Sequence, residues 1–287
     1  MSTTAPRVGV IGGGRMGAGI AQSFAQLGSA VTVVETHDPQ AALGRVKTGL
    51  DRAHERGKLD GAEPTEVLAR VSVVDAIDNL PKGLDLVVEA VPEDAALKVG
   101  VLTAVEGKVA DAAILASNTS SLSIAGLGEA LRRPDRFLGM HFFNPVPAST
   151  LVELVRAPAT SDDTVAAAQA WVAALGKSDV LANDAPGFAT SRLGVCLGLE
   201  AIRMLEEGVA SAADIDKAME LGYRHPMGPL RSTDLVGLDV RLAIAEHLTA
   251  TLGPRFEPPQ LLRDKVARGE LGRKTGTGFF DWKDGAR

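Results

Sequence analysis

The chain has 287 residues, of which 45% are hydrophobic and 23% are charged, and its formal net charge at pH 7 is -6. Because domains usually contain about 100 to 200 residues, this length predicts two domains, each able to bury a core. The acidic balance and the lack of a basic tract argue against nucleic acid and anionic membrane surfaces as partners.

Cysteine usage and the first residues bear on the cellular compartment. Cys196 is the single cysteine, so an intrachain disulfide framework is excluded and a reducing cytoplasm is favoured. The apolar run Val8–Ile11 ends at glycines after too few residues for a signal peptide or a membrane span. We therefore predict a cytoplasmic protein without a membrane partner, and we interpret Cys196 as a buried packing residue.

The first part of the chain alternates between predicted strands and helices. An apolar run at residues 7–11 stops at three glycines, a helical pattern follows, and the β-branched run Val31–Val34 ends at Glu35. Pro39 then stands where the first residue of a long helix is expected. Further strands are predicted at Val71–Val74, Leu84–Glu89, Ala113–Ser117, Arg136–His141 and Leu151–Val155. This alternation predicts an α/β fold with a Rossmann-type, doubly wound, mostly parallel sheet in a domain of residues 1–184.

From about residue 185 onward the strand pattern disappears. Helices are predicted at Phe188–Glu207, Ser211–Leu221, Pro229–Leu252 and Pro259–Arg268. The second domain, residues 185–287, is therefore predicted to be all-helical. It closes with the glycine-rich turn Gly272–Gly278, which carries Lys274 and by itself is typical of a surface loop.

A nucleotide-binding pattern lies between the first predicted strand and the first predicted helix. The glycines permit a tight turn and close approach of a diphosphate to the helix N-terminus, and an acidic residue after the second strand can accept hydrogen bonds from ribose hydroxyls. Its carboxylate would repel a 2′-phosphate, so NAD is favoured over NADP, although an arginine in the loop is able to reach a phosphate. The expected cofactor-binding residues are Gly12, Gly14, Arg15, Met16, Gly17 and Glu35.

A hydroxyl, an imidazole and a carboxylate stand in three neighbouring segments further along the chain. They come from the serine-rich run Ser117–Ser121, from His141 and from Glu153. Histidine titrates near neutral pH and a carboxylate can orient it, so the last two residues are interpreted as a general base and its holder. From these residues alone, a structural histidine beside the rigid Asn144–Pro147 turn accounts for His141 equally well.

Several ordered motifs together resemble the L-3-hydroxyacyl-CoA dehydrogenase family, in particular its single-function bacterial members, over nearly the whole chain. The motifs are Met16-Gly17-Ala18-Gly19-Ile20-Ala21, Glu89-Ala90-Val91-Pro92-Glu93, Ser117-Asn118-Thr119-Ser120-Ser121-Leu122, Gly139 to Pro147, Leu151-Val152-Glu153-Leu154, Pro186-Gly187-Phe188, His225 to Pro229, Asp234 to Asp239 and Lys274 to Phe279.

The resemblance implies an NAD-dependent oxidation of (S)-3-hydroxyacyl-CoA to 3-oxoacyl-CoA and the reverse, on short acyl chains such as 3-hydroxybutyryl-CoA, without a metal. It makes His141 the base, Glu153 its partner, and Ser120 a contact of the substrate oxygen near the nicotinamide. It also implies that Glu93, Lys98 and Lys274 contact the cofactor, that Asn144 contacts the substrate, and that the helical domain closes on substrate and forms a homodimer.

Three features leave the substrate open. The family usually has asparagine where this chain has Ser191, so a serine there either steadies the substrate carbonyl through water or is a small packing residue. Arg52 and Arg56 meet a CoA phosphate or form a solvated helix face. Arg224 raises the hypothesis that a dicarboxylic substrate, 3-hydroxyadipyl-CoA, is accepted.

Two alternatives to the leading function are kept. The same chemistry acts on sugar acids or on hydroxyacyl groups attached to a carrier protein in related proteins of this architecture. A nucleotide-binding protein with a structural or regulatory role is the alternative from another class, and the presence of both His141 and Glu153 argues against it.

Overall fold

A computed structural model describes residues 5–283 and divides the chain into two compact units, with the boundary between Ala185 and Pro186. None of the helices in this described range combines the length and the hydropathy that a membrane span requires.

The first unit is built on one sheet of eight strands in the described range. The strands are β1 (Val8–Ile11), β2 (Val31–Val34), β3 (Val71–Val74), β4 (Leu86–Glu89), β5 (Ile114–Ser117), β6 (Phe137–Phe142), β7 (Leu151–Arg156) and β8 (Ser178–Asn183). Their order across the sheet is β3-β2-β1-β4-β5-β6-β7-β8, and only the β6–β7 pair is antiparallel. The predicted Rossmann-type, mostly parallel sheet is confirmed.

This strand order indicates where a ligand binds on the first unit. The chain leaves β1 toward β2 on one side, and β4 continues the sheet on the other side. In open α/β sheets, ligands bind at such a switch in strand order, outside the carboxyl ends of the strands. Strands β1, β2, β4, β5 and β6 run in one direction, so the segments that follow them lie at this same edge of the sheet.

Helices connect the parallel strands. They are α1 (Arg15–Leu27), α2 (Pro39–Glu55), α3 (Pro64–Leu68), α4 (Ala95–Glu106), α5 (Ile124–Gly128) and α6 (Asp162–Ala174), with short 3-10 helices at Ile77–Asn79 and Pro134–Arg136. Every residue of β1, β2, β4 and β5 is buried, as expected for strands covered on both faces. Their side chains and those of Ile20, Phe24 and Leu50 contribute to one hydrophobic core.

Strand β8 is not predicted by the sequence pattern. It pairs in parallel with β7 and forms the edge of the sheet, and its apolar residues Val180 and Leu181 are 40% and 45% exposed. The segment reads Ser-Asp-Val-Leu-Ala-Asn, which has neither a β-branched run nor a clean alternation. Its extended form therefore follows from pairing with β7, a tertiary effect that local propensity does not contain.

The second unit is helical around its own core. Its helices are α7 (Thr190–Glu206), α8 (Ala212–Gly222), α9 (Pro229–Val236), α10 (Leu238–Leu252) and α11 (Gln260–Ala267), with short 3-10 helices at Pro254–Phe256 and Arg273–Thr275. The core includes Val195, Leu199, Leu230 and Leu248. The predicted all-helical second domain is confirmed, apart from two isolated β-bridges between residues 272 and 281.

Two sequence expectations in this unit are wrong. The single helix predicted at Pro229–Leu252 is broken at Gly237, whose φ of 107° lies in a region that ends a right-handed helix. Apolar periodicity continues across the break and conceals it. Cys196 is exposed on α7 rather than buried.

A buried carboxylate anchors the final turn of the second unit to α9. Asp234 accepts hydrogen bonds from the backbone amides of Phe279 and Phe280 at 2.9 Å and from the Trp282 indole at 2.8 Å. A Cβ placed on Gly278 would lie 2.1 Å from the Asp234 carboxylate. Asp234 therefore anchors the end of the turn that carries Lys274.

Replacing Asp234 by alanine is expected to lower the free energy of unfolding of this unit by about 3 kcal/mol or more, because three donors lose their acceptor. Urea unfolding followed by circular dichroism measures this change. The matched control is Asp239→Ala, which removes an exposed ion pair to the same turn and is expected to cost less than about 1 kcal/mol. Equal losses in the two variants would contradict the anchoring role.

Candidate active site

The glycine loop between β1 and α1 forms a cradle in which Gly12 and Gly17 leave no room for a side chain. Gly12 has a φ of 99°, and a Cβ placed on Gly17 would lie 1.8 Å from the carbonyl oxygen of Gly12. Helix α1 begins without a side-chain cap and has no acidic residue in its first turn. These features fit a diphosphate, because the helix N-terminus offers donors and a favourable dipole. Gly14 differs, since a Cβ there would meet nothing within 4 Å.

Glu35 lies at the end of β2 and contacts this loop directly. Its carboxylate accepts hydrogen bonds from the backbone amides of Gly13 and His37, both at 3.0 Å. Burial raises the pKa of Glu35, but backbone hydrogen bonds, chiefly those from His37 and Gly13, outweigh it and place the pKa below its usual value. Glu35 is therefore a negative charge beside the loop at neutral pH, which disfavours a 2′-phosphate.

Arg45 is a loop contact that sequence reasoning missed. Its guanidinium, projecting from α2, donates to the carbonyl oxygen of Gly13 at 2.9 Å. Arg15 and Met16 are the first two residues of α1; the first is exposed and the second packs partly against the core. Arg15 therefore places an exposed charged group at the start of α1.

Replacing Glu35 by alanine is expected to reduce the preference for NADH over NADPH by about tenfold or more, because the charge that opposes a 2′-phosphate is lost. Fluorescence titration with both dinucleotides gives the ratio of the two dissociation constants. Glu55→Ala removes an exposed carboxylate from α2 and serves as the control, with an unchanged ratio. A preserved preference in the Glu35 variant would show that discrimination comes from elsewhere.

The serine-rich segment after β5 is organised by Glu93. One oxygen of this carboxylate accepts from the Thr119 hydroxyl at 2.6 Å, from the Ser120 amide at 3.0 Å and from the Ser121 amide at 3.2 Å. Burial raises the pKa of Glu93, but the Thr119 hydroxyl, the Lys98 ammonium and the Ser120 and Ser121 hydrogen bonds together lower it, so that the net shift is downward. Glu93, Lys98 and Ser120, expected on resemblance, thus lie together in the structure.

His141 and Glu153 are directly opposed residues of the antiparallel strands β6 and β7. The imidazole Nδ1 lies 3.1 Å from a Glu153 carboxylate oxygen, and both side chains are buried. The Phe143 ring lies 4.4 Å from the imidazole ring, between centroids, at a tilt of 49°. The backbone ladder therefore sets the separation of the two groups, and Nδ1 is committed to the carboxylate.

The turn after β6 carries Asn144 and is held by residues that sequence reasoning missed. The Asn144–Pro145 peptide is cis. Lys177 donates to the carbonyl oxygens of Val146, at 2.8 Å, and of Ser149. Burial lowers the pKa of Lys177. The Asn118 side chain accepts from the Phe142 amide at 2.8 Å, which ties the end of β6 to the segment after β5.

The remaining expected site residues stand apart from these clusters or in the other unit. Arg52 and Arg56 are exposed on α2 and at its C-terminal end, one helical turn apart. Ser191 is the second residue of α7 and is half-buried, and Lys274 forms an exposed ion pair with Asp239 at 2.6 Å. The described residues contain no group of three or more His, Cys, Asp or Glu side chains suited to a metal ion.

A glycine cradle, an ionised acidic residue after β2 and a histidine–carboxylate pair at one edge of a doubly wound sheet define the class of nicotinamide-dependent dehydrogenases. Two family models match the chain. Residues 7–185 match the 3-hydroxyacyl-CoA dehydrogenase NAD binding domain, and residues 187–282 match the C-terminal domain of the same family. The chain belongs to the 3-hydroxyacyl-CoA dehydrogenase family, and its first unit is an NAD-binding domain.

Individual relatives cover almost the entire chain. The 3-hydroxybutyryl-CoA dehydrogenase of Mycobacterium tuberculosis is 42% identical over 98% of this chain and all of its own length. The mitochondrial hydroxyacyl-coenzyme A dehydrogenase of Sus scrofa is 39% identical over 96% of this chain and 91% of its own. The crystal structure of (S)-3-hydroxybutyryl-CoA dehydrogenase from Ralstonia eutropha is similar with a TM-score of 0.91 and 43% identity, covering 97% and 99% of the two chains.

Proposed function

We propose that this enzyme interconverts (S)-3-hydroxyacyl-CoA and 3-oxoacyl-CoA with NAD, and that it prefers short acyl chains such as the 3-hydroxybutyryl group. The observation that carries the proposal is the buried His141–Glu153 pair, in register across β6 and β7 at the sheet edge that holds the glycine cradle. Relatives named 3-hydroxybutyryl-CoA dehydrogenase support the choice of substrate.

His141 acts as the base in the oxidation direction. With Nδ1 engaged by Glu153, Nε2 is the nitrogen that takes the proton from the substrate 3-hydroxyl. The glycine cradle and Glu35 would hold NAD, which would supply a hydride acceptor for the carbon that carries this hydroxyl. Glu153 stabilises the imidazolium that forms, and in the reduction direction His141 returns the proton to the substrate oxygen.

Ser120 contacts the same substrate oxygen in this proposal. The Ser120 amide is fixed by Glu93, and the segment follows β5, the parallel neighbour of the strand that carries His141. The two residues therefore belong to adjacent strand ends. Asn144, in the turn directly after β6, is proposed as a further substrate contact.

Two residues of the helical unit are proposed by resemblance alone. Ser191 steadies the substrate carbonyl and Lys274 contacts the cofactor, both by resemblance to the family. Because serine is shorter than the usual asparagine, Ser191→Asn is expected to lower KM for acetoacetyl-CoA if this position touches substrate. An unchanged KM would assign Ser191 to packing instead.

The proposal is tested by NADH consumption with acetoacetyl-CoA. Rapid NADH-dependent turnover, with a much lower kcat/KM for NADPH, is the expected result. Bound NADH without turnover of acetoacetyl-CoA would overturn the short-chain substrate and favour 3-oxoadipyl-CoA or a carrier-linked acyl group. Arg224, which adopts a left-handed φ of 58° between α8 and α9, is the residue to replace in that case.

Arg52 and Arg56 are proposed to meet a phosphate of the CoA moiety. Both are exposed and separated by four residues, so they share one face at the end of α2. The double variant Arg52→Gln/Arg56→Gln is expected to raise KM about tenfold for acetoacetyl-CoA, through lost charge-assisted contacts, but not for the acetoacetyl thioester of N-acetylcysteamine. Lys47→Gln, elsewhere on α2, is the control. An equal rise for both thioesters would contradict the phosphate contact.

We also propose that the enzyme is a homodimer formed through the helical unit. Large apolar side chains are exposed on this unit, and Leu221 and Tyr223 are 72% and 76% exposed. Leu193 on α7 and Val240 on α10 are exposed as well. Burial of these side chains against a second copy would remove them from water. Light scattering should give a mass of twice the 29.8 kDa chain, and a monomeric mass would exclude the dimer.

A cytoplasmic location is likewise a proposal, supported by the single free cysteine.

A further inference from the structure

Glu89, the last residue of β4, has a carboxylate with no exposure to solvent. One oxygen accepts from the Lys98 ammonium at 2.7 Å and from the Val91 amide at 2.7 Å. The other oxygen accepts from the Ser117 hydroxyl, at the end of β5, at 2.6 Å. A buried carboxylate is costly unless it is paired and hydrogen-bonded in this way.

Lys98 connects Glu89 to a second carboxylate. Its side chain is 1% exposed although it belongs to α4, a helix that starts with three exposed residues. Its ammonium lies 2.7 Å from a Glu89 oxygen and 3.4 Å from a Glu93 oxygen, and it donates to the Val91 carbonyl at 3.1 Å. The two carboxylates therefore share one buried cation.

Glu93 transmits this arrangement to the serine-rich segment. The other Glu93 oxygen accepts hydrogen bonds from Thr119, Ser120 and Ser121. Each link from Glu89 through Lys98 and Glu93 to Ser120 is thus a polar contact of 3.4 Å or less. The proposed catalytic step uses Ser120 and assigns no role to Glu89.

We propose that Glu89 is a positioning residue, which acts through Lys98 and Glu93 to hold Ser120 at the place where the substrate oxygen binds. This role rests on the proposed function. Without the Glu89 charge, Glu93 is the remaining counterion of the Lys98 ammonium among the described residues. The Glu93 carboxylate and the ammonium, now 3.4 Å apart, are then expected to move toward each other. The segment that Glu93 holds moves with it, so the loss appears in catalysis at Ser120.

The test is a double-mutant cycle between Glu89→Gln and Ser120→Ala, with kcat for acetoacetyl-CoA reduction as the readout. Glu89→Gln alone is expected to lower kcat about tenfold or more, and to lower it by less than about twofold when Ser120 is already alanine. If the two decreases in kcat multiply in the double variant, the proposal is overturned, because Glu89 then acts independently of Ser120.

Glu106→Gln is the matched control for lost stability. Glu106 is also a buried carboxylate of the first unit, and it accepts from the Arg132 and Arg133 amides, away from the serine-rich segment. This variant is expected to lower Tm and to leave kcat unchanged. If Glu89→Gln does not fold, Glu89→Asp retains the charge, lengthens the contact to Lys98, and is carried through the same cycle.

A second readout does not require turnover. The Ser120 and Ser121 amides donate to Glu93, so Glu89→Gln is expected to speed their hydrogen exchange about tenfold or more, while amides in α6 keep their wild-type rates. Faster exchange together with inactive wild-type enzyme would retain the linkage and reject the proposed function. Unchanged exchange would overturn the linkage itself.

Discussion

Replacing His141 by alanine is expected to lower kcat for acetoacetyl-CoA reduction by about 10³-fold, within the usual range for loss of a general acid or base. His141 is the one histidine in strands β6 and β7. In the variant, we expect the proton to come from water instead. NADH affinity is expected to stay within about threefold, because the imidazole belongs to the proton-transfer site rather than to the glycine cradle.

The His141→Ala variant is compared with a control variant and with a substitution of Glu153. His54→Ala removes an exposed imidazole from α2 and is expected to leave kcat unchanged. Glu153→Gln keeps the size of the holder but removes its charge, and it should lower kcat less than His141→Ala does. In the double variant, the Glu153 effect should disappear, since the carboxylate acts through Nδ1 of His141. Retention of more than about a tenth of wild-type kcat in His141→Ala would reject His141 as the base.

Replacing Gly17 by alanine is expected to weaken NADH binding by about 100-fold or more, which corresponds to about 2.7 kcal/mol. The added Cβ would lie 1.8 Å from the Gly12 carbonyl oxygen and 3.0 Å from its carbonyl carbon. Both neighbours are backbone, so the collision is relieved only by moving the loop or the start of α1. Either movement takes the helix N-terminus away from the diphosphate.

Gly44→Ala is the matched control for this substitution. Gly44 lies within α2, where a Cβ meets no atom within 4 Å, so alanine is expected to stabilise the helix by up to about 1 kcal/mol and to leave NADH affinity unchanged. Fluorescence titration of both variants with NADH, after thermal unfolding has shown that each is folded, gives the comparison. An affinity loss below about tenfold in Gly17→Ala would show that the loop tolerates a side chain there.

Local patterns in the sequence are sufficient for the parts of the site that depend on neighbouring residues. Gly12, Gly17 and Glu35 are predictable because a glycine loop after one strand, followed by an acidic residue after the next strand, is specific to dinucleotide binding. The sequence also predicts that His141 and Glu153 form a pair, because a carboxylate can orient an imidazole. Their register across an antiparallel pair of strands, which sets the 3.1 Å contact, is visible only in the structure.

Contacts made across the sheet edge are not predictable from pattern. Lys98 has the sequence context of an ordinary surface lysine, and only the approach of β4 and α4 buries it between two carboxylates. Arg45 and Lys177 donate to backbone carbonyl oxygens 32 and 31 residues away along the chain. Strand β8 owes its conformation to its neighbour. Each is a tertiary effect, so local propensity carries no signal for it.

The stretch of chain from β6 to β7 forms one antiparallel pair of strands. It places the proposed base and its holder 12 residues apart on one hairpin-like excursion of the NAD-binding unit. Both groups of the proposed proton transfer thus lie within one short segment of the chain. A recombinant chain that receives the helical unit of a relative would keep both residues, and we expect such a chimera to retain the same acid–base pair.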